Sequence, residues 1–167
     1  RFVLTEKNGS KYRFWTDGRF QWVQDPNGNR ITAEYDGIGQ LVRVSHSNGD
    51  HFDLEYYGNS RLKALTDHAG RTTTFTYDQP GEHLLSVTWP DGEVTSYTYI
   101  SSQGTLRDHH LSSITYPAGE VVSFSYDRLG RLEEEHVANQ QESLRYSYTT
   151  AGKTYLTDAL GNTSMTW

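Results

Sequence analysis

Apolar and polar residues alternate with a period of two along short segments of this chain. After Gly28, the residues Ile31, Ala33 and Tyr35 are separated by the polar Thr32 and Glu34. Because side chains two apart lie on one face of an extended strand, this segment predicts a half-buried β-strand with one polar face. The alternation recurs in residues 52–56, 73–77, 95–99, 122–126 and 144–148. No long segment has the three- and four-residue spacing of an amphipathic helix.

The strand pattern repeats with a period of about 21 residues. It is marked by turn glycines followed seven residues later by a tyrosine. The pairs are Gly28 and Tyr35, Gly49 and Tyr56, Gly70 and Tyr77, Gly92 and Tyr99, and Gly119 and Tyr126. Gln141 takes the glycine position of a degenerate copy that ends in Tyr148. Such self-similarity is typical of stacked repeats, since one unit cannot bury its apolar face alone.

These intervals divide the chain into a divergent first repeat, residues 1–24, and a repeat array, residues 25–167. The units lie near residues 28–48, 49–69, 70–91, 92–118, 119–140 and 141–160, with a truncated unit at 161–167. The one irregular interval, 27 residues, carries its excess in residues 100–110. We interpret that segment as an insertion at a turn, where insertions are tolerated.

Each unit contains two turns. One follows the tyrosine and contains Asp36, Asp78 or Asp127; the other includes DPNGN (25–29) and PDGE (90–93). Asp, Asn and Pro favour such turns, and glycine supplies the positive φ that closes them. The second strand carries a leucine and a branched residue three later, as in Leu41 and Val44. Because this spacing breaks the pleat, we expect the leucine next to the turn or a β-bulge between the two.

The predicted fold is all-β: an extended antiparallel sheet of stacked β-hairpin repeats, about 14 strands in all, that curves or spirals. Tyrosines would supply much of the burial, with hydroxyls that reach water or backbone. An open array leaves unpaired strand edges, which predicts a homo-oligomer formed by edge pairing.

The composition of the chain argues against several classes of protein. Aromatic residues make up 13% of the chain, which argues against disorder although only 34% is apolar. The net charge of −6 disfavours a nucleic-acid partner. The longest apolar runs are a few residues, which excludes a membrane-spanning helix. The chain has no cysteine and therefore no disulfide or cysteine-based metal site.

The units resemble YD repeats, which occur in Rhs (rearrangement hot spot) proteins, in their relatives from insecticidal toxin complexes and in teneurins. The likeness rests on a Tyr-Asp-x-x-Gly-x-Leu core and is clear in residues 29–44, 71–92 and 120–134. It implies a β-sheet that spirals into a shell, which encloses a toxic polypeptide in polymorphic toxins and belongs to an adhesion receptor in teneurins. The resemblance therefore implies a non-catalytic scaffold, a secreted or surface-exposed bacterial protein, and other repeats or domains of the parent protein as partners.

Candidate catalytic and metal-binding residues have simpler explanations. Residues 108–110 (Asp-His-His) are interpreted as a solvated turn insertion, because no further ligand with zinc spacing accompanies them. Residues 133–136 (Glu-Glu-Glu-His) are interpreted as a solvated acidic strand end. Asp36, Asp78 and Asp127 recur at the same position, in the turn after the tyrosine. This repetition is typical of residues that form turns. We therefore expect no enzyme activity, no cofactor and no bound metal.

An alternative function is carbohydrate binding. Trp15, Trp22 and Trp89, with exposed tyrosines, could stack on the sugar rings of a glycan or of a cell-surface partner. Packing between strands explains the same rings, because cross-strand aromatic pairs stabilise sheets. The sequence favours packing and leaves the alternative open.

Overall fold

A computed structural model describes residues 1–138, 142–150 and 152–166. These residues form β-strands joined by turns and contain no helix. The strands are β1 (Phe2–Thr5), β2 (Lys11–Phe14), β3 (Phe20–Gln24), β4 (Arg30–Tyr35), β5 (Leu41–His46), β6 (His51–Tyr56), β7 (Leu62–Asp67), β8 (Thr72–Tyr77), β9 (Leu84–Thr88), β10 (Val94–Tyr99), β11 (Leu111–Thr115), β12 (Val121–Tyr126), β13 (Leu132–Val137), β14 (Glu142–Tyr148), β15 (Thr154–Thr157) and β16 (Thr163–Thr166). The all-β prediction is confirmed.

The strands follow one another in chain order in a 16-stranded antiparallel sheet, two more than predicted. The difference arises at the N-terminus, where residues 1–24 form β1, β2 and β3 with regular hairpin turns. The chain divides into two compact units, Arg1–Phe75 and Thr76–Trp167. The repeat boundaries and the spiral stay predictions, and Gln141, the degenerate glycine position, lies outside the described residues.

Most of the hairpin turns share one hydrogen-bonding pattern. In the turn after β4, the Asp36 N–H donates to Gln40 O at 2.9 Å and the Gly39 N–H donates to Asp36 O at 3.2 Å. Gly39 has a φ of 90°, the left-handed region in which a side chain is strained. This is a type I turn closed by a bulge residue of positive φ. In the turn after β6, Ser60 occupies that position with a φ of 65°.

A β-bulge lies next to the turns that follow a strand-end tyrosine, as after β4 and β6, and explains the leucine spacing. Tyr35 pairs with Leu41, whereas Glu34 pairs with Arg43, so one residue of β5 has no partner in β4. The extra residue restores Leu41 and Val44 to the same face of the sheet. Equivalent register shifts occur between β6 and β7, β10 and β11, and β12 and β13. The predicted bulge is confirmed.

The predicted alternation appears in the exposure of the second half of these strands, whereas Ile31 and Phe52, three residues after their glycines, are 41% and 49% exposed. The residue five after each unit glycine is never exposed, and the next residue is always exposed, as at Ala33 and Glu34. The buried side chains are small: Ala33, Ala64, Val87, Thr95 and Val122. No large side chain in the described part of the chain is fully buried. The fold therefore has little conventional core, and contacts between neighbouring strands must provide much of its stability.

The turn geometry predicts a stability loss for one substitution and almost no change for another. Gly70 has a φ of 80°, and a Cβ added there meets nothing within 4 Å. Gly70→Ala should therefore act through backbone strain alone and lower the free energy of unfolding by about 1 kcal/mol. Ser60→Gly is the matched control: relief of similar strain offsets the entropy that glycine adds to the unfolded chain, so its effect should stay within about 0.5 kcal/mol. Urea denaturation measures both, and an unchanged stability of Gly70→Ala would contradict the shared turn geometry.

Candidate functional site

Tyrosine hydroxyls connect the ends of neighbouring strands. The Tyr35 hydroxyl donates to Phe20 O at 2.8 Å, and the Tyr56 hydroxyl donates to Leu41 O at 2.8 Å. In the second unit the same bond joins Tyr99 to Leu84 O at 3.0 Å, Tyr126 to Leu111 O at 2.9 Å, and Tyr148 to Leu132 O at 2.7 Å. Tyr77 occupies the corresponding strand-end position of β8. Each tyrosine thus places a polar tip on the backbone of the preceding strand while its ring covers apolar surface.

These bonds share their residues with the bulges. Leu41 pairs with Tyr35 across the hairpin of β4 and β5, and its carbonyl accepts the Tyr56 hydroxyl from β6. Tyr56 in turn pairs with Leu62. Within each of the two units, strand-end tyrosines and leucines therefore alternate, and a tyrosine such as Tyr56 contacts the strands before and after its own. We call this alternation the tyrosine–leucine row. It consists of Tyr35, Leu41, Tyr56 and Leu62 in the first unit and of Leu84, Tyr99, Leu111, Tyr126, Leu132 and Tyr148 in the second.

Partial burial changes the acidity of three tyrosines in the row. Burial raises the pKa of Tyr56, Tyr99 and Tyr126 above the ordinary value, because the phenolate is less well solvated than the phenol. The phenols therefore remain protonated and able to donate throughout the neutral range.

The turn aspartates hold the backbone of their own turns. The Asp36 carboxylate accepts the N–H groups of Ile38 at 3.0 Å and Gln40 at 2.8 Å. Asp127 accepts those of Leu129 and Arg131 in the same way. In the turn that begins at Asp78, the carboxylate accepts the N–H groups of Glu82 and His83. Every one of these contacts is local to the turn.

Sequence analysis overlooked two equivalent aspartates. Asp67 accepts the N–H groups of Ala69 and Arg71, both at 2.9 Å, and Asp158 makes the corresponding contacts. Hydrogen bonds from the Arg71 backbone and side chain lower the pKa of Asp67. Both lie three residues before a turn glycine, so an Asp-x-x-Gly search without the tyrosine would have found them.

The acidic segment 133–136 does not form a cluster. Glu134 lies on the polar face, where Arg145 Nε donates to it at 3.1 Å. Glu135 points to the opposite face, because it pairs with Phe124 and Leu144. The alternation of the strand separates these carboxylates, so the segment is a strand with two different faces and not one solvated acidic end.

The three tryptophans lie in separate surroundings. The Arg1 guanidinium lies 4.9 Å from the centre of the Trp15 ring, and the Arg30 guanidinium lies 4.5 Å from that of Trp22. Trp89 is 45% exposed. Its indole N–H donates to Thr95 Oγ1 at 3.2 Å. Carbohydrate binding at these rings stays a prediction.

The histidines of the insertion separate and contact different turns. His110 Nε2 donates to Gly130 O at 3.0 Å, and its ring lies 4.6 Å from that of Tyr126. His109 Nδ1 instead lies 2.9 Å from His83 Nε2. The sequence has no further ligand with zinc spacing near residues 108–110, but the fold brings Glu82, His83 and His109 together, with one potential ligand atom of each within 4.8 Å of the others. His83 is 26 residues from His109 in sequence, beyond the reach of a spacing motif.

The tyrosine–leucine row predicts a stability loss on removal of one hydroxyl. Tyr126→Phe should lower the free energy of unfolding by about 1 kcal/mol, the net value of one hydrogen bond. Tyr116→Phe is the control, because Tyr116 is 39% exposed and lies outside the row; its effect should stay within about 0.5 kcal/mol. Equal losses in urea denaturation would show that the Tyr126 hydroxyl has no special role.

Alkaline pH gives the same variant a second readout. Because the pKa of Tyr126 is raised in the folded protein, its contribution to stability is complete below the unfolded pKa of about 10 and is lost as pH rises through the folded value. Tyr126→Phe should therefore lose less stability than the unsubstituted chain above pH 10.

Comparisons with known proteins find similar repeats elsewhere. Residues 107–142 match the RHS Repeat family. Teneurin-1 of Gallus gallus is 35% identical over 98 residues, which is 57% of this chain and 4% of the teneurin. Teneurin-1 of Homo sapiens is 33% identical over the same length, with the same coverage. The chain thus corresponds to a small part of these relatives.

A solved structure shares the fold. The crystal structure of TcdB2-TccC3-Cdc42 matches 89% of this chain and 9% of its own chain, with a TM-score of 0.65 and 16% identity. In the described residues, no helix long and apolar enough to span a membrane is present. The family match over residues 107–142, the similarity to a part of teneurin-1 and the shared fold agree with the repeated Tyr-Asp-x-x-Gly-x-Leu units, and together they show that this chain is similar to RHS, or YD, repeat proteins.

Proposed function

We propose that this chain is a non-catalytic wall segment of an Rhs/YD-repeat shell, which encloses or displays a toxin or adhesion domain of a longer protein. The tyrosine–leucine row carries this proposal. The contact between Tyr56 and Leu41 has the same form as the one between Tyr126 and Leu111. A hairpin can therefore be added to the array without new chemistry, which suits a wall of variable length.

The use of polar side chains supports a structural role. Turn carboxylates accept backbone N–H groups, and the Arg43 side chain pairs with Asp53, with Nη2 to Oδ2 at 2.8 Å. On the polar face, Thr98 and Ser113 hydrogen-bond across two strands at 2.7 Å. Each of these groups stabilises a turn or a strand pair, and none requires a substrate.

The edge strands support pairing with further repeats. In the strand order β1 has one neighbour, β2, and its residues Phe2, Val3 and Leu4 are 63%, 59% and 56% exposed. An exposed apolar edge strand offers unpaired backbone groups to another strand. We infer that neighbouring repeats of the parent protein cover this edge, and that a second copy of the chain covers it when those repeats are absent.

The relatives support the cellular setting. Teneurins and toxin-complex proteins are much longer than this chain, which covers 4% of the teneurins and 9% of the toxin-complex chain. We therefore propose that the chain is part of a larger protein. The resemblance to these relatives supports a secreted or surface-exposed bacterial protein. Carbohydrate binding is the alternative to be tested, with Trp89 as its most exposed ring.

Edge pairing can be tested on the isolated chain. Sedimentation velocity at rising concentration should show self-association that Val3→Lys abolishes, because a lysine on an edge strand opposes pairing. Val3→Thr is the control, since it retains β-branching without a charge and should associate like the unsubstituted chain. A chain that stays monomeric at millimolar concentration would contradict the edge proposal.

Enclosure requires the longer protein that contains this chain. During limited proteolysis, the segment enclosed by the repeats should resist cleavage in the intact protein and be cleaved rapidly when expressed alone. Gly70→Ala combined with Tyr126→Phe should weaken the wall and speed cleavage, whereas Tyr116→Phe should not. Equal cleavage of that segment with and without the repeats would exclude a shell.

A further inference from the structure

The two irregular features of the second unit meet at one point. The turn after β8 is one residue longer than the turn after β4, because the Asp78 N–H donates to His83 O, five residues on. The insertion of residues 100–110 interrupts the repeat period between β10 and β11. The longer turn carries Glu82 and His83, and the insertion carries His109. We propose that these three side chains form a Zn²⁺ site.

The surroundings of His83 fix the nitrogen that faces the site. Asp78 Oδ2 lies 2.6 Å from His83 Nδ1, so Nδ1–H donates to the carboxylate. The proton on Nδ1 leaves Nε2 of the neutral ring with a free lone pair. A carboxylate behind a histidine is the usual partner of a zinc-ligating imidazole, because it holds the tautomer and the ring orientation. The Tyr99 ring, 4.4 Å from that of His83, holds the imidazole from its face.

The insertion places His109 opposite that lone pair. The Ile100 N–H donates to His110 O, and the His109 N–H donates to Ile100 O, so two backbone bonds close the loop. His109 has a φ of 71°, which a non-glycine residue adopts only when its surroundings require it. On the far side, His110 anchors the insertion to Gly130. The backbone of His109 is therefore held at the end of a fixed loop, while its exposed side chain can adjust.

The distances fit a bridging ion. The centres of the His83 and His109 rings lie 4.9 Å apart, and His83 Nε2 lies 2.9 Å from His109 Nδ1. The distance between the centres is close to the nitrogen separation plus the radii of the two rings. The two nitrogens therefore lie between the rings and face each other. The His109 Nδ1–H donates to His83 Nε2. Coordination through Nδ1 requires the other tautomer of His109, in which this proton has moved through solvent to Nε2. Two zinc–nitrogen bonds of about 2.0–2.1 Å in a tetrahedron separate the nitrogens by about 3.3 Å, a small opening for the exposed His109.

Glu82 supplies the third ligand. Its Oε2 lies 3.8 Å from His109 Nδ1. His109 and Glu82 are 65% and 59% exposed, so both can adjust, whereas His83 is only 18% exposed and remains fixed. Two imidazoles and a carboxylate are a common zinc-ligand set, and a fourth position stays open to water or to a group of a partner. The bound ion would fasten the insertion to the turn before β9.

Zinc titration of the full 167-residue chain tests this site. We expect one Zn²⁺ per chain by calorimetry, and Co²⁺ in its place should give the strong visible absorption of a tetrahedral complex. His109→Ala and Glu82→Gln should each weaken binding at least tenfold. Asp78→Asn should weaken it about 10–100-fold through the His83 tautomer. His136→Ala, which removes an exposed histidine of the same unit, should bind like the unsubstituted chain.

Thermal denaturation keeps the test independent of folding defects. Saturating Zn²⁺ should raise the Tm of the unsubstituted chain, because the ion binds only the folded state. The His109→Ala variant should melt like the zinc-free chain with or without zinc, since its side chain is exposed. The proposal would be overturned if the unsubstituted chain did not bind zinc. It would also be overturned if His109→Ala and Glu82→Gln bound zinc as tightly as the unsubstituted chain. An equal loss in His136→Ala would do the same.

Discussion

The hydrogen bond from a strand-end tyrosine to the carbonyl of the preceding strand is the interaction on which this fold most depends. A sheet whose buried side chains are chiefly Ala33, Ala64, Val87 and Val122 gains little from a conventional core. Its stability must come from contacts between neighbouring strands. Tyrosine suits this task because one side chain covers apolar surface with its ring and satisfies a backbone carbonyl with its hydroxyl.

The same interaction explains the period and the function we propose. Leu41, next to the bulge, pairs with Tyr35 and its carbonyl accepts the hydroxyl of Tyr56, so each unit supplies the acceptor for the tyrosine of the next unit. Two strands, two turns and one bulge are needed before this geometry recurs, which accounts for about 21 residues. Because each repeat contains the tyrosine that bonds it to the preceding strand, many repeats can form a long wall. The insertion of residues 100–110 interrupts this period. Its two histidines contact the turns on either side: His109 contacts His83, and His110 contacts Gly130.

Much of the fold could be predicted from local patterns. The alternation around Ala33 predicts the two faces, and the spacing of Leu41 and Val44 predicts the bulge, because both follow from the pleat of a strand. The site was harder to predict. The partner of the Tyr56 hydroxyl is a main-chain carbonyl, which has no residue signature. His83 and His109 meet only because two irregularities coincide, and Ser60 adopts a glycine conformation that its identity does not reveal.

Nuclear magnetic resonance of the tyrosine hydroxyl protons tests the central claim most directly. The account predicts slowly exchanging hydroxyl protons for Tyr56 and Tyr126, with cross-peaks to Leu41 and Leu111. The hydroxyl proton of Tyr116, which lies outside the tyrosine–leucine row, should exchange with water too fast to be seen. Equally fast exchange at all three tyrosines would contradict the account, because the strand ends would then be held by something other than the row.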